Sequence, residues 1–353
     1  MKNTTSRTQK AAKNIRYNFI NQIISLLLSF VARTVFIQGF GVELLGINGL
    51  FGDILNLLSM ADLGFNTAMT YSFYRPLAEK DDTKIAGLIT FYRKIYRIIA
   101  LAITVVGISL IPFLPKIVNV EQNIPHLNLY YILSLSTVVA SYLCVYKTTI
   151  LSADQKGYLL TKIAIYTNLL KTILQILSII IWKNYVVYLV IGTSITIINN
   201  LYASHVASKE YPYIKSKVSI NRDEKKEIFD NLESVFLYKV SSMMLNATDN
   251  ILISTIIGTA IVGYYSNYLL IQNKITSIIS LLFTSITASI GNLVVTERNE
   301  KRLKVFQCEQ SISYIICGIV IPCYVLLVDD FIKIWLGQEY ELGFVVDCVI
   351  GAN

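Results

Sequence analysis

The sequence predicts an all-α, polytopic membrane protein, and three observations carry that prediction. The chain is 54% hydrophobic and 15% charged, with a mean hydropathy of +0.54, whereas soluble globular chains carry about 25% charged residues. Apolar runs of roughly 18 residues or more recur along it, each long enough to cross ~30 Å of hydrocarbon as a helix. The basic residues gather in alternate connections between those runs, which is a topology signal rather than a nucleic-acid patch.

The elements follow in order. Met1 to Arg16 carries five basic residues and no acid, like a signal-peptide n-region. The apolar stretch behind it runs to about Phe40 with no small-residue cleavage site, so 15–37 is expected to be a retained first span. Gly41-Val-Glu-Leu-Leu-Gly46 separates it from a second span at 44–70. The third span, 97–117, has Pro112 near its outer end. The next three are 127–150, 159–182 and 185–206. After a polar connection come 234–257, 261–292 and 311–328, and a further span begins at 343. Pro322 lies inside 311–328, where neighbouring helices can re-satisfy the freed carbonyl.

Of the 31 Lys and Arg residues, 24 fall in connections on the N-terminal side of the membrane and three (Lys116, Lys183, Lys333) on the other. The positive-inside rule therefore predicts a cytoplasmic N-terminus. The remaining four, Arg33, Lys171, Lys239 and Lys274, fall within spans.

The longest polar connection, 207–233, divides an N-terminal six-helix bundle (1–206) from an incomplete C-terminal bundle (234–353). Within it, Asn221 stands three residues before Glu224, a helix-start signal. Ile228, Phe229, Leu232, Val235 and Phe236 recur at helical spacing opposite Asp223, Lys226, Asp230 and Glu233, as in a helix lying on a membrane surface. Residues 207–220 read equally well as a plain linker. A faint repeat relates the halves: Gly41 and Gly46 are echoed by Gly258 and Gly263, with a charge about two turns earlier in each case, Arg33 and Asp249. This suggests two parallel repeats, the second lacking its last helices in this chain.

Ionisable groups at membrane depth cost several kcal/mol, roughly +2.5–3.5 on insertion scales, so each needs a pocket, a partner or a role. Arg33, Asp53, Asp62, Lys171, Lys239, Asp249 and Lys274 are the candidates, with Asn246 and Asn250 on the same turn region as Asp249. One reading makes them the lining of a water-accessible cavity between the halves. The other makes them interhelical ion pairs, such as Arg33 with Asp53 or Asp249, that only lock the bundle. For substrate binding the principal candidates are Arg33, Asp53, Lys239, Asp249, Lys274, Asn246 and Asn250. Asp62, near a helix end, and Lys171, which can snorkel, rank below them. So do Tyr264 and Tyr268, which read as interfacial anchors or as stacking platforms for sugars.

Four cations against three anions favour an anionic headgroup over a cationic ligand. An inside-negative potential assists export of an anion by about 2.3 kcal/mol per charge per 100 mV. No nucleotide loop is present: Gly41 and Gly46 have phosphate-loop spacing, but Ile47-Asn48 follow in place of Lys-Ser/Thr. The five cysteines form no CxxC pair, and the two histidines, His126 and His205, build neither a zinc site nor a catalytic set. No metal, no cofactor and no enzymatic activity are expected.

Particular segments resemble a known family. Arg33, the run Leu44-Leu-Gly-Ile-Asn-Gly-Leu-Phe51, and Leu57-Leu-Ser-Met-Ala-Asp-Leu-Gly-Phe65 look like the first two spans of bacterial polysaccharide flippases of the multidrug/oligosaccharidyl-lipid/polysaccharide exporter superfamily. Asn246-Ala-Thr-Asp-Asn-Ile-Leu-Ile-Ser254 and Phe331-Ile-Lys-Ile-Trp-Leu-Gly337 are similar to later segments of the same family. The resemblance implies two six-helix bundles around a central cavity that opens alternately to either side. Its implied substrate is an undecaprenyl-pyrophosphate-linked oligosaccharide for O-antigen, capsule or exopolysaccharide, with Arg33 meeting the pyrophosphate. It also implies a bacterial inner-membrane location, contact with membrane lipid and polysaccharide-assembly proteins, and use of H⁺ or Na⁺ as a coupling ion. The chain departs from the family by stopping near its tenth span. A cation-coupled multidrug exporter of the same superfamily, with Asp53, Asp62 or Asp249 binding the ion, is the alternative. A membrane-embedded enzyme of glycan assembly would need a large external loop or a catalytic cluster.

Overall fold

A computed structural model describes residues 7–59, 65–119, 124–216, 218, 220–221, 228, 249–296 and 299–352. Among them every long element is helical, as predicted: α1 (Arg7–Leu58), α2 (Phe65–Glu79), α3 (Asp82–Ser109), the short α4 (Leu114–Ile117), α5 (Leu127–Ala153), α6 (Gly157–Trp182), α7 (Tyr185–Glu210), α8 (Thr259–Thr296), α9 (Asn299–Trp335) and α10 (Phe344–Ala352). Six helices among the described residues are long and apolar enough to cross a membrane. The outward faces of α6 and α7 expose Ile180, Ile181, Trp182, Ile198 and Leu201, side chains suited to lipid. The chain forms two compact units, Met1–Val262 and Gly263–Asn353.

At 52 residues, a straight α1 would measure ~78 Å, more than twice the hydrocarbon thickness. It is not straight: Gly41 interrupts it at φ 82°, ψ 173°, a conformation essentially confined to glycine. Contacts on either side show that the chain reverses there. Near the start of α1, Lys10 Nζ reaches Asp154 Oδ1 at 2.9 Å, beside the C-terminal end of α5. Past the turn, Asn66 Oδ1 accepts a bond from Thr149, in the last turns of that same helix, at 3.1 Å. Between them, Phe40 packs on Tyr185 (5.4 Å between rings) and Asn48 accepts a bond from the Tyr185 hydroxyl (3.2 Å), so both arms meet the start of α7. The two predicted spans therefore run antiparallel through one assigned helix. Gly258, the echo of Gly41, also has positive φ, 144°.

The stretch 71–96, expected as a polar connection, is instead most of α2 and the first half of α3. Asp81 caps α3, accepting from the Lys84 amide at 2.8 Å, the arrangement that stabilises helix starts. Ile85, Leu88, Ile89, Tyr92, Tyr96, Ile99 and Ile103 are buried, a helical stripe that span-averaged hydropathy hides behind Arg93, Lys94 and Arg97. Pro112 lies in a 3-10 turn, Ile111–Phe113, at the end of this arm. In the rest of the first unit, α5 lies against α3 and α7, and α6 against α1 and α7. Gly39 permits the last approach on α1, since a Cβ there would stand 2.1 Å from Ile179.

In the second unit, Tyr268 of α8 is fully buried. Its hydroxyl donates to Asp329 of α9 and accepts from the Leu342 amide at 2.8 Å. Tyr324 donates to the Tyr268 carbonyl at 3.3 Å, and Asp347 of α10 is buried alongside. The expected surface helix over 221–236 and the span from 234 to 248 lie outside the described residues, apart from Asn221 and the buried Ile228.

Candidate functional site

Polar groups of the first unit gather in four places. Toward the Gly41 end, Arg33 is half-buried and lies within electrostatic reach of the Tyr188 hydroxyl. One turn on, Phe36 packs edge-on against Tyr188 at 5.2 Å and Tyr185 at 5.9 Å. Phe40 joins the same two rings, and Tyr130 meets Tyr185 at 4.8 Å. Gln175 of α6 donates to the Tyr188 carbonyl at 3.1 Å, and the half-buried Lys171 sits one turn earlier on that helix. A guanidinium presents a planar fork suited to a bidentate contact with phosphate.

Past the turn, the second group is acidic. Asn250 donates its side-chain amide to Asp53 Oδ2, and Asp249 lies near enough to Asp53 to act on it electrostatically. Asn250 is 7% exposed, and its Oδ1 is buried without a hydrogen-bond partner among the described residues. Asp53, Asp249 and Asn250, singled out from sequence, are thus brought together. Arg33 is set near Tyr188 instead.

The third group is a cavity of about 350 Å³ lined by Ser59, Val138, Ser141, Tyr142, Cys144, Val145, Thr148 and Asn200. It lies near the middle of α5 and opens to the surface of the first unit. Sequence reading passed over these residues because none is charged. Their signal is a hydroxyl stripe, Ser134, Thr137, Ser141 and Thr148, at helical spacing on α5, with Thr137 bonded to Thr193 of α7 at 2.7 Å.

The fourth group closes the end that carries Lys10. Asp154 accepts from Lys10 (2.9 Å), Lys156 (2.9 Å) and the Tyr211 hydroxyl (2.6 Å), while Lys156 also reaches Glu210 at 2.7 Å and lies 4.8 Å above the Tyr211 ring. Burial pushes the Asp154 carboxyl up, but those hydrogen bonds outweigh it and hold the group below its ordinary value. Burial likewise lowers Lys156, and its Glu210 and Asp154 partners outweigh that and raise it. Burial, with nearby Asp82 and Asp154, pushes the neighbouring Tyr213 up to about 12.

Lys239, Asn246 and Asp62 lie outside the described residues. In the second unit, Lys274 is half-buried on α8, Tyr264 packs against Tyr340 at 5.4 Å, and Tyr268 is in the core described above.

Residues 11–290 match the family model described as "Polysaccharide biosynthesis protein". No curated protein matches the chain. Two solved structures share the fold. One is described as the inward-facing conformation of a multidrug resistance MATE family transporter of the MOP superfamily. It is 14% identical, with a TM-score of 0.62, over 93% of this chain and 75% of that one. The other, described as protein A, is 12% identical with a TM-score of 0.57, over 100% of this chain and 82% of that one.

Proposed function

Because the chain belongs to the polysaccharide biosynthesis protein family, we propose that it is a transporter that flips undecaprenyl-pyrophosphate-linked oligosaccharides from the cytoplasmic to the outer leaflet of the bacterial inner membrane by alternating access. The N-terminus faces the cytoplasm, following the 24-to-3 asymmetry of its basic residues. The linker 207–233 joins a six-helix lobe, 1–206, to a second lobe, 234–353, and the substrate passes between them. The delivered lipids serve O-antigen, capsule or exopolysaccharide synthesis, with assembly proteins downstream.

The observation that carries this reading is Arg33, a cation within the first predicted span and within electrostatic reach of Tyr188, one turn before the Phe36–Tyr185–Tyr188 ring cluster. Such a charge needs a pocket, a partner or a role, and a pyrophosphate is the anion on the lipid-linked sugars that the sequence resemblance implies. Two negative charges leaving an inside-negative cell gain about 2.3 kcal/mol each per 100 mV, so the reaction needs no nucleotide.

Arg33→Ala is expected to abolish surface polysaccharide while leaving membrane insertion intact. Arg33→Lys should restore only part of it, because an ammonium cannot make the bidentate contact. Normal surface glycan in the Arg33→Ala strain removes Arg33 from the mechanism.

A second reading, export of cationic compounds coupled to H⁺ or Na⁺, is favoured by the Asp53–Asp249–Asn250 group and its buried Asn250 oxygen, which has no partner among the described residues. Loss of resistance to a cationic dye in an Asp53→Asn strain with unchanged surface glycan would favour that reading.

A further inference from the structure

The cavity of the first unit is polar without being charged. Among the described residues its lining holds three hydroxyl side chains, one carboxamide and one phenol, and neither a carboxylate nor a cation. Where the hydrogens of those groups go determines what the cavity can bind.

Ser59 Oγ donates to the Leu55 carbonyl at 2.8 Å, Ser141 Oγ to Thr137 at 3.1 Å and Thr148 Oγ1 to Val145 at 3.0 Å. Each hydroxyl hydrogen is therefore turned back onto its own helix, as serine and threonine do inside membrane helices. Asn200 gives a side-chain N–H to Ser141 Oγ at 3.1 Å, and Tyr142 points its hydroxyl at the Ser59 carbonyl, 3.4 Å away. Each serine or threonine oxygen has two lone pairs, and after these bonds at least one remains on each.

The hydroxyl donors are directed to protein acceptors, and the unused capacity of those oxygens is to accept. Anions need donors, so a phosphate finds little here. A buried cation is favoured by compensating charge, and the described lining offers none. A neutral ligand rich in O–H donors fits, with Val138 and Val145 supplying apolar surface for its C–H faces. At about 350 Å³ the cavity sits at the small end of the roughly 300–1,000 Å³ typical of small-molecule sites.

We infer that this cavity binds neutral sugar units through Ser59, Ser141, Thr148 and Asn200. Identifying those sugars as the glycan of the transported lipid rests on the function proposed above. Along α7, Asn200 stands twelve residues from Tyr188, the neighbour of Arg33, or ~18 Å of helix. Pyrophosphate and glycan would then be held at separate places in one lobe.

Cys144 lines the cavity and serves as a reporter. The full chain with Cys308, Cys317, Cys323 and Cys348 replaced by alanine would be labelled with N-ethylmaleimide in detergent. A neutral oligosaccharide, maltotriose, is expected to slow labelling, about tenfold at ten times its Kd, and inorganic pyrophosphate to leave it unchanged. The double substitution Ser141→Ala and Thr148→Val, which keeps the shape but removes two acceptors, should abolish the protection without changing the unprotected labelling rate. Protection by pyrophosphate, protection that survives the double substitution, or no protection by maltotriose at any soluble concentration would each overturn the inference. None of these readouts requires flipping. A chain that shows the protection yet moves no lipid-linked glycan would sink the transport reading and leave the sugar site standing.

Discussion

Two polar regions of the first unit, about 20 Å apart along α5, use hydrogen-bonding groups in opposite ways. Around Asp154 the charges meet one another: two lysines, a tyrosine and a glutamate close a network that ties α1, the α5–α6 connection and the end of α7. Around Ser141 the groups are neutral, their hydrogens turned back to their own helices and their lone pairs facing open space. A closed network contributes to stability, because breaking it strands a charge. An open one contributes little to stability and leaves capacity for a ligand. Substitutions in the first should therefore change folding, and in the second, binding.

The largest effect is expected from Asp154→Ala, which leaves Lys10 and Lys156 without their shared acceptor. Removing one member of a buried charge pair costs about 3–5 kcal/mol. With the Asp154 side chain 26% exposed, a loss of about 2–3 kcal/mol in reversible unfolding in detergent is expected, in line with charged hydrogen bonds. A change too small to measure would mean that the clamp does not stabilise the fold.

Its pH dependence sharpens the same point. Asp154 is held below its ordinary value, so its contribution is present above the unfolded carboxylate pKa of about 3.9 and disappears as pH falls through the folded value. Lys156 is raised, so its contribution is present below about 10.4 and disappears as pH rises through its folded value. Hydrogen-exchange protection of residues 8–16 should be flat between those limits and collapse outside them. Loss of protection near neutrality would contradict the assignment.

Gly41→Ala is next. A Cβ at φ 82° and ψ 173° costs about 1–3 kcal/mol, measurable as a lower melting temperature. An unchanged melting temperature would mean that the reversal does not depend on this backbone conformation. The double substitution Ser141→Ala and Thr148→Val should cost about 1 kcal/mol, since it removes the acceptor of one Asn200 N–H at a site open to water. A larger loss would make the hydroxyl stripe structural. Smallest is Tyr142→Phe, whose hydroxyl bond at 3.4 Å is near the limit of such contacts, so a change of about 0.5 kcal/mol or less is expected.

Helical class and most spans are legible in the sequence because lipid leaves a strong composition signal and alternate loops carry the charge. The boundary at 71–96 is not, because Arg93, Lys94 and Arg97 lower the local hydropathy while the buried stripe from Ile85 to Ile103 keeps strict helical spacing. Moment, rather than mean, carries that information. Intramembrane charge singles out Arg33, Asp53 and Asp249. It does not reveal that Asp53 bonds to Asn250 while Arg33 lies near Tyr188, since partners across helices depend on where Gly41 turns the chain. The hydroxyl-lined cavity is the least legible of all. Serine and threonine are common in membrane helices, and only the hydrogen-bond partner of each hydroxyl distinguishes a lining from a packing face.

Reconstitution provides the most direct test of the central claim. The purified protein would be placed in liposomes with undecaprenyl-pyrophosphate-linked oligosaccharide in the inner leaflet, and the appearance of glycan outside would be followed with a lectin. Parent protein should expose the glycan faster than protein-free liposomes, faster still under an inside-negative potential, and Arg33→Ala should fall back to the protein-free rate. Glycan exposure at the protein-free rate with the parent, while a cationic dye is moved down an imposed Na⁺ or H⁺ gradient, would contradict the flippase reading.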